Sequence, residues 1–263
     1  MTLKLKKEKR TAPQIVSLAR AQDKITTPEL IRGLFGDFIE FHGDRSLEDD
    51  EAVVAGIATF RKRPVTVIAT DKGTSPKERV DKNFGCPSPG GYRKALRLAR
   101  QAEKFGRPVL AFVNTSGAYP GRSAEEHGQG EAIARNLLEF SKLRVPFVTV
   151  IFGEGGSGGA LALACGDEVW MLENSMYSVL SPEGFASILW KDSRRSDEAC
   201  EIMQLTPESL LSHDIIEGII PEHHSHRQTV AEIARVLDER LQALGKLTTE
   251  QLLSRRHARF RKF

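Results

Sequence analysis

The 263-residue sequence predicts an α/β protein with a mostly parallel sheet. Two short runs, residues 108–113 and 146–152, are almost entirely apolar, which is typical of strands buried on both faces of a parallel sheet. Amphipathic helices alternate with the strands, as in residues 92–105, and this alternation indicates an α/β domain. No recognisable repeat or low-complexity linker divides the chain, so we expect one domain over residues 1–263.

Local start and stop signals define the other elements. Residues 27–41 begin with Thr-Pro-Glu, which places proline in the first turn of a helix. Two strands joined by a turn at Pro64 follow, and then a long polar, glycine-rich segment, residues 71–91, which is typical of a functional loop. We predict further helices at 123–143, 160–164, 182–190, 196–211 and 227–244, and strands at 52–60, 65–70, 168–172, 177–180 and 215–220.

Composition excludes several classes of protein. Hydrophobic residues make up 40% of the chain and charged residues 28%, as in a soluble globular protein with a sizeable core. No apolar run approaches the ~18 residues that a membrane span requires, and the first residues lack the apolar core of a signal peptide. Three cysteines without CxxC spacing predict neither a disulfide framework nor a metal site. We therefore expect a cytoplasmic protein.

The net charge of +3 hides an uneven distribution. Residues 1–10 and 251–263 together hold ten Lys and Arg residues and one acidic residue, whereas the rest of the chain is acidic. An acidic body argues against a nucleic-acid-binding core. We expect the two basic tails to be solvated ends of the chain.

Glycine is concentrated in one part of the sequence. Fourteen of the 22 glycines lie between Gly85 and Gly166. Two glycine-rich stretches, residues 114–121 and residues 153–159 (the glycine segment), follow directly after the two buried strands. Sites in parallel sheets lie beyond the carboxyl ends of the strands. We therefore expect both stretches to be loops at the functional edge, where bare backbone approaches a ligand.

The glycine segment matches the dinucleotide-binding fingerprint. Gly153, Gly155 and Gly158 satisfy GxGxxG, and Glu173 lies 20 residues after Gly153. Residues 159–167 leave room for only about two helical turns, whereas a crossover to a parallel neighbour usually needs a dozen or more residues. This short connection argues against dinucleotide binding.

The same segment matches the GxSxG pattern of a nucleophile elbow, with Ser157 as the nucleophile. A serine hydrolase would also need an acid and a histidine to activate the hydroxyl. Downstream candidates exist for both roles, namely Asp167 or Glu183 as the acid and His213, His223, His224 or His226 as the base. A hydrolase using Ser157 is therefore an alternative function.

A third interpretation needs no reactive side chain. Glycines at the start of a helix expose amides that have no intrahelical partner and that favour an anion. Two amides directed at one oxygen form an oxyanion hole, typically worth 10² to 10³ in rate per donor. A purely structural explanation is also possible, in which the turn needs glycine only so that the helix can pack closely on the strand.

Longer motifs carry a resemblance to a known family. In order, they are Asn83-Phe84-Gly85 and residues 91–98, 117–121, 130–136, 153–160, 181–184 and 187–191. Over roughly residues 11–225 the chain resembles the carboxyltransferase α-subunit family of bacterial acetyl-CoA carboxylases. One departure is Ser116, where that family commonly has proline, so the rigidity of the following loop is in question.

The resemblance implies a crotonase-type fold, in which stacked ββα turns form a spiral with peripheral helices and, here, C-terminal helices within residues 226–263. It also implies an α2β2 enzyme that moves a carboxyl group from carboxybiotin, on the biotin carboxyl carrier protein, to acetyl-CoA. The product is malonyl-CoA for fatty acid biosynthesis. Carboxybiotin and acetyl-CoA are then substrates, no cofactor is bound covalently, and the partners are the β subunit, the carrier protein and biotin carboxylase.

The resemblance further implies roles for individual residues. The N–H groups of Gly158 and Gly159 would stabilise the ureido oxygen of biotin. The pocket would be shaped by Gly155, Gly156, Ser157, Gly117, Ala118, Tyr119, Pro120 and Gly121. Basic residues between positions 77 and 94 are either ligands for coenzyme A phosphates or an ordinary solvated helix face, and these are Lys77, Arg79, Lys82, Arg93 and Lys94.

Overall fold

The computed structural model describes residues 10–263, so most of the N-terminal basic tail lies outside the described residues. The strands are β1 (Ile39–Glu40), β2 (Val53–Phe60), β3 (Arg63–Thr70), β4 (Val109–Thr115), β5 (Phe147–Gly156), β6 (Glu168–Leu172), β7 (Met176–Ser178) and β8 (Gly218–Ile220). The α-helices are α1 (Ala12–Ala19), α2 (Thr27–Leu34), α3 (Pro76–Asp81), α4 (Pro89–Lys104), α5 (Arg122–Glu126), α6 (Gln129–Ser141), α7 (Ser157–Leu161), α8 (Pro182–Trp190), α9 (Ser196–Met203), α10 (Pro207–Ser212), α11 (His226–Leu244) and α12 (Thr249–Phe260).

The strands form one sheet in the order β1-β2-β3-β4-β5-β6-β8. The first three strands are antiparallel, and the pairings from β3 to β8 are parallel, which confirms the predicted α/β fold with a mostly parallel sheet. Every residue of β4 and β5 is buried, because helices cover both faces. Val109, Ala111 and Val113 pack with α4 and α6, whereas Leu110 and Phe112 pack with α2 and α11.

Strand β5 belongs to two parts of the sheet. Its first half, Val148–Ile151, pairs with β6, whereas its last three residues, Glu154–Gly156, pair with β7. The sheet therefore divides at the glycine segment, and β7 supports the end of β5 that faces the predicted site.

Several boundaries differ from the sequence prediction. The β2–β3 turn is formed by Arg61 and Lys62, both with positive φ, as a two-residue hairpin with primed turn geometry requires, and Pro64 lies inside β3. The predicted helix 27–41 ends at Leu34, after which Phe35 is extended and the chain enters β1.

The predicted helix 123–143 is two helices separated by Gly128 (φ +83°). Gln204, also left-handed, divides the predicted helix 196–211 in the same way. The predicted loop 71–91 contains α3 and the start of α4, and α1 was not predicted.

The C-terminal basic segment is not a solvated tail. The side chain of Arg256 is fully buried and binds both carboxylate oxygens of Asp167, at 2.8 and 2.7 Å. Its guanidinium also donates to the carbonyl oxygens of Phe140, Leu143 and Val145 at 2.6–3.1 Å. All five N–H groups of the guanidinium therefore donate a hydrogen bond, and Arg256 fixes α12 to the end of α6 and the start of β6.

Within residues 10–263 no helix is both long enough and apolar enough to cross a membrane.

Candidate active site at the carboxyl edge of the sheet

The glycine segment is mostly strand, which corrects the prediction of a loop over residues 153–159. Strand β5 continues to Gly156, and α7 begins at Ser157. The turn between them is made by Ser157, which has φ +55°, whereas the glycines of the segment do not use the left-handed region. These positions therefore do not need glycine for its backbone conformation, and the lack of a side chain must have another role.

Close approach of two backbones explains two of these glycines. A Cβ atom on Gly156 would overlap the carbonyl oxygen of Ser116, and one on Gly159 would overlap the amide nitrogen of Ala118. The stretch after β4 therefore lies directly against the end of β5 and the first turn of α7. The two glycine-rich stretches meet at one edge of the sheet, as the order of the strands predicts.

Gly158 has a different environment. A Cβ atom there would meet only the Ile133 side chain, at 3.8 Å, so packing does not require glycine. No side chain caps α7, and the first amides of a helix have no intrahelical acceptor. Because α7 has only five residues, its amides act as local donors rather than through a large helix dipole. The backbone at Gly158 is thus open to an incoming acceptor.

Hydrogen bonds hold the stretch after β4 in place. The Thr115 hydroxyl donates to the Gly117 carbonyl at 2.8 Å and accepts from its amide at 3.1 Å. The Tyr119 amide donates to the Pro87 carbonyl at 2.9 Å, and the Gln129 side chain donates to the carbonyls of both Pro87 and Tyr119. These bonds fix the loop although Ser116 lacks the ring constraint of a proline.

The remaining predicted pocket residues of this loop lie further along it. The Tyr119 ring packs on Gly121, where a Cβ atom would overlap the ring, and Pro120 is exposed. Tyr119 also borders a surface depression that is lined by acidic residues of the segment 48–51. The ring is half-buried and is held by its own loop.

The serine-hydrolase arrangement is not assembled. Ser157 is exposed and has the strained turn of a nucleophile elbow, but its hydroxyl makes no hydrogen bond to residues 10–263. The candidate acids are bound elsewhere, Asp167 to Arg256 and Glu183 to Arg20. Of the four candidate bases, His213 bonds to Gln204 and His226 to the Asp23 carbonyl. His223 and His224 line a different pocket, whose lining does not include Ser157.

The dinucleotide fingerprint is also absent in three dimensions. Gly153 and Gly155 lie inside β5 rather than in the turn that would surround a pyrophosphate. The expectation that the short connection prevents a parallel crossover is wrong, because β6 does pair in parallel with β5. Glu173 accepts a hydrogen bond from Arg10 at 3.3 Å.

Three of the five basic candidates between positions 77 and 94 have structural partners. Lys82 pairs with Asp71, Arg93 donates to the His127 carbonyl, and buried Lys94 pairs with Asp49. Lys77 and Arg79 make no ion pair with residues 10–263, so they alone among the five remain free cations in the described structure.

Sequence reasoning missed a cavity of about 250 Å³ beside the glycine segment. It lies at the carboxyl ends of β3, β4 and β5, and its lining includes Lys72, Phe84, Asn114, Ser116 and Glu154. Within residues 10–263, no group of three or more His, Cys, Asp or Glu side chains is placed to hold a metal ion.

Buried Glu154 is the central charge of this cavity. Arg20 donates to it at 2.7 Å, and Lys72 pairs with its other carboxylate oxygen. Burial by itself raises the pKa of Glu154, but the charges and hydrogen bonds of Lys72 and Arg20 outweigh it, so the pKa lies below its usual value. A charged residue inside an otherwise apolar strand was the sequence signal for this cluster.

Comparisons with known proteins agree with this architecture. The family model described as acetyl co-enzyme A carboxylase carboxyltransferase-like matches residues 4–263. Proteins called acetyl-coenzyme A carboxylase carboxyl transferase subunit alpha from Streptococcus sanguinis and Streptococcus thermophilus are each 54% identical over 95% of this chain and 98% of their own length.

Among solved structures, transcarboxylase 12S has a TM-score of 0.71 and 18% identity over 89% of this chain, and the P. aeruginosa geranyl-CoA carboxylase beta subunit has a TM-score of 0.68 and 16% identity over 92%. This chain spans only 44% and 46% of those two chains. They share the crotonase-type fold, which confirms the fold that the resemblance implied. The chain belongs to the acetyl-CoA carboxylase carboxyltransferase family.

Proposed function

We propose that this chain is the α subunit of an acetyl-CoA carboxylase carboxyltransferase and works in the cytoplasm. Together with a β subunit it transfers the carboxyl group of carboxybiotin to acetyl-CoA, and the product is malonyl-CoA for fatty acid biosynthesis. The identity of 54% with relatives that carry the α-subunit name, over nearly their whole length, supports this function.

The chemistry needs stabilisation of two developing charges. When carboxybiotin loses CO2, the N–C bond breaks and negative charge develops on the ureido oxygen. Biotin nitrogen then accepts a proton from the methyl group of acetyl-CoA, and the resulting enolate carbon attacks CO2. The substrate itself supplies the base, so the protein must chiefly provide hydrogen-bond donors for the two oxygens.

The open backbone at Gly158 is the observation that carries the proposal. The amides of Gly158 and Gly159 donate to the ureido oxygen, and the absence of a side chain at Gly158 leaves that oxygen room to approach. Gly155, Gly156, Ser157 and the loop Gly117–Gly121 form the walls of the carboxybiotin pocket. A turn with donors and no general base fits this reaction better than it fits a hydrolase.

The site is half of an active site. The β subunit receives acetyl-CoA and stabilises its enolate, in an α2β2 assembly. Biotin reaches the glycine turn on the biotin carboxyl carrier protein, after biotin carboxylase has carboxylated it. Carboxybiotin and acetyl-CoA are thus substrates rather than resident cofactors.

The direct test is reconstitution with the β subunit of the same organism. In the reverse reaction, the purified pair is expected to convert malonyl-CoA and biocytin to acetyl-CoA and carboxybiocytin, whereas each subunit alone is inactive. Turnover by the isolated chain would contradict the half-site arrangement.

Replacement of Ser157 separates the proposal from the hydrolase alternative. In the reconstituted pair, Ser157→Ala is expected to retain transfer, with a loss far below the ~10² that removal of an oxyanion donor costs. The wild-type chain is also expected to resist labelling by a fluorophosphonate. Labelling at Ser157 together with loss of activity in Ser157→Ala would favour a hydrolase instead.

A further inference from the structure

The only buried residues of helix α8 are small, whereas two of its large apolar residues are exposed. Pro182 and Ala186 face the core, whereas Ile188 and Leu189 are 68% and 58% exposed. A surface helix of a complete globular unit normally turns its large apolar side chains inward. This pattern indicates that the outer face of α8 is covered by something other than residues 10–263.

The exposed apolar area is substantial. Phe185, Ile188 and Leu189 share one face by their spacing of three and four residues, and Val179, 78% exposed, lies in the connection that leads into the helix. We call these four residues the α8 surface. Ile188, Leu189 and Val179 alone expose on the order of 350 Å², nearly half of the roughly 800 Å² that each partner buries in a stable complex.

The border of the α8 surface also has the composition of an interface. The Trp190 ring packs edge-to-face on Phe185 at 5.8 Å and carries the guanidinium of Arg195 at 4.1 Å from its centroid. Tryptophan and arginine are enriched among residues that dominate binding energy, and charged side chains typically surround an apolar centre. These contacts fix both side chains before any partner arrives.

The α8 surface adjoins the glycine turn. Strand β7 pairs with Glu154–Gly156, and Val179 is the next residue after β7. At the start of α8, Glu183 accepts from Arg20 at 2.7 Å, and Arg20 donates to Glu154 in β5 at the same distance. A partner on α8 would therefore lie next to the end of β5 that leads into the glycine turn.

We infer that the α8 surface is the docking site for the carboxyltransferase β subunit, an inference that rests on the proposed function. The proposed site needs a second chain that brings the acyl-CoA half to the glycine turn, and the α8 surface is an exposed apolar area that β7 and Arg20 connect to the end of β5. In transcarboxylase 12S and the geranyl-CoA carboxylase beta subunit, the part that matches this chain is less than half of the whole chain. In both proteins the matched fold is therefore accompanied by a further stretch of protein that is at least as long.

The test compares two exposed apolar positions. Ile188→Gln/Leu189→Gln removes the centre of the α8 surface while keeping good helix formers. Phe105→Gln is the matched control, since Phe105 is 60% exposed but precedes β4, at the opposite edge of the sheet. Affinity for the β subunit is measured by surface plasmon resonance, the association state by sedimentation, and folding by thermal melting.

We expect the double variant to melt like the wild-type chain and to bind the β subunit at least ~30-fold more weakly, the loss typical of one dominant interface residue. Phe105→Gln should bind normally.

Unchanged affinity in the double variant would overturn the inference, and the proposed function would stand if the wild-type pair transfers carboxyl groups. A wild-type chain that self-associates through α8, and loses this in the variant, would overturn it in favour of a second copy. Absence of transfer by the wild-type pair would instead refute the proposed function.

Discussion

Gly158→Val is expected to reduce carboxyl transfer by the reconstituted enzyme at least ~10²-fold, the cost of losing an oxyanion donor. The fold tolerates the new side chain, because a Cβ atom at this position meets only Ile133 at 3.8 Å. Its methyl groups, however, would stand over the amides that are proposed to receive the ureido oxygen. Initial rates with malonyl-CoA and biocytin measure the effect, and the melting temperature and β-subunit affinity should not change.

Gly130→Val is the matched control for this experiment. Gly130 is an exposed helical glycine with no atom within 4 Å of its Cβ position, and it lies outside the proposed pocket. Gly159 is unsuitable, because a side chain there would overlap the Ala118 amide and deform the loop itself. Full activity of an assembled Gly158→Val enzyme would exclude the assignment of this amide.

Arg256→Met is expected to lower the free energy of unfolding by about 3–5 kcal/mol, because it leaves buried Asp167 without its counter-charge. The melting temperature should fall by roughly 10 °C in a chain of this length. Three carbonyl oxygens also lose their donor, which adds to the loss. Urea unfolding followed by circular dichroism measures the change.

The neighbouring arginine provides the control. Arg255 also pairs with a buried carboxylate, that of Glu168, but Arg255 is 44% exposed and Glu168 keeps two hydrogen bonds from Arg240. Arg255→Met should therefore cost no more than ~1 kcal/mol. Equal unfolding midpoints for the two variants would show that Arg256 does not hold α12 as described. In Arg256→Met/Asp167→Asn, part of the stability should return, because the unpaired charge is gone.

The sequence predicted those elements whose signal is local. The buried strands β4 and β5 follow from apolar runs, and α4 follows from its helical period, since burial on both faces or on one face leaves a visible pattern. The meeting of the two glycine-rich stretches follows from strand order alone. The strand structure of residues 153–156 could not be predicted, because glycine is common in loops. It depends on pairing of Glu154–Gly156 with β7 and of Gly155 with β4, which the local sequence does not show.

Charge clusters formed by distant elements were beyond sequence reasoning. Arg256 and Asp167 are 89 positions apart, and Glu154 meets Arg20 and Lys72 from two other elements. In the sequence, Arg256 belongs to a basic run that is indistinguishable from a solvated tail. Only the burial of both partners shows that Arg256 is a structural part of the core.

The short pairing of β7 with the end of β5 has a consequence for genetics. A substitution in Met176–Ser178 would disturb the glycine end of β5 and, through Val179, the connection to α8. Such alleles would lose turnover and subunit association together. They would therefore complement neither mutants defective only in turnover nor mutants defective only in subunit association. Alleles on the outer face of α8 should instead be suppressed by compensating changes in the partner's gene, which distinguishes an assembly defect from a chemical one.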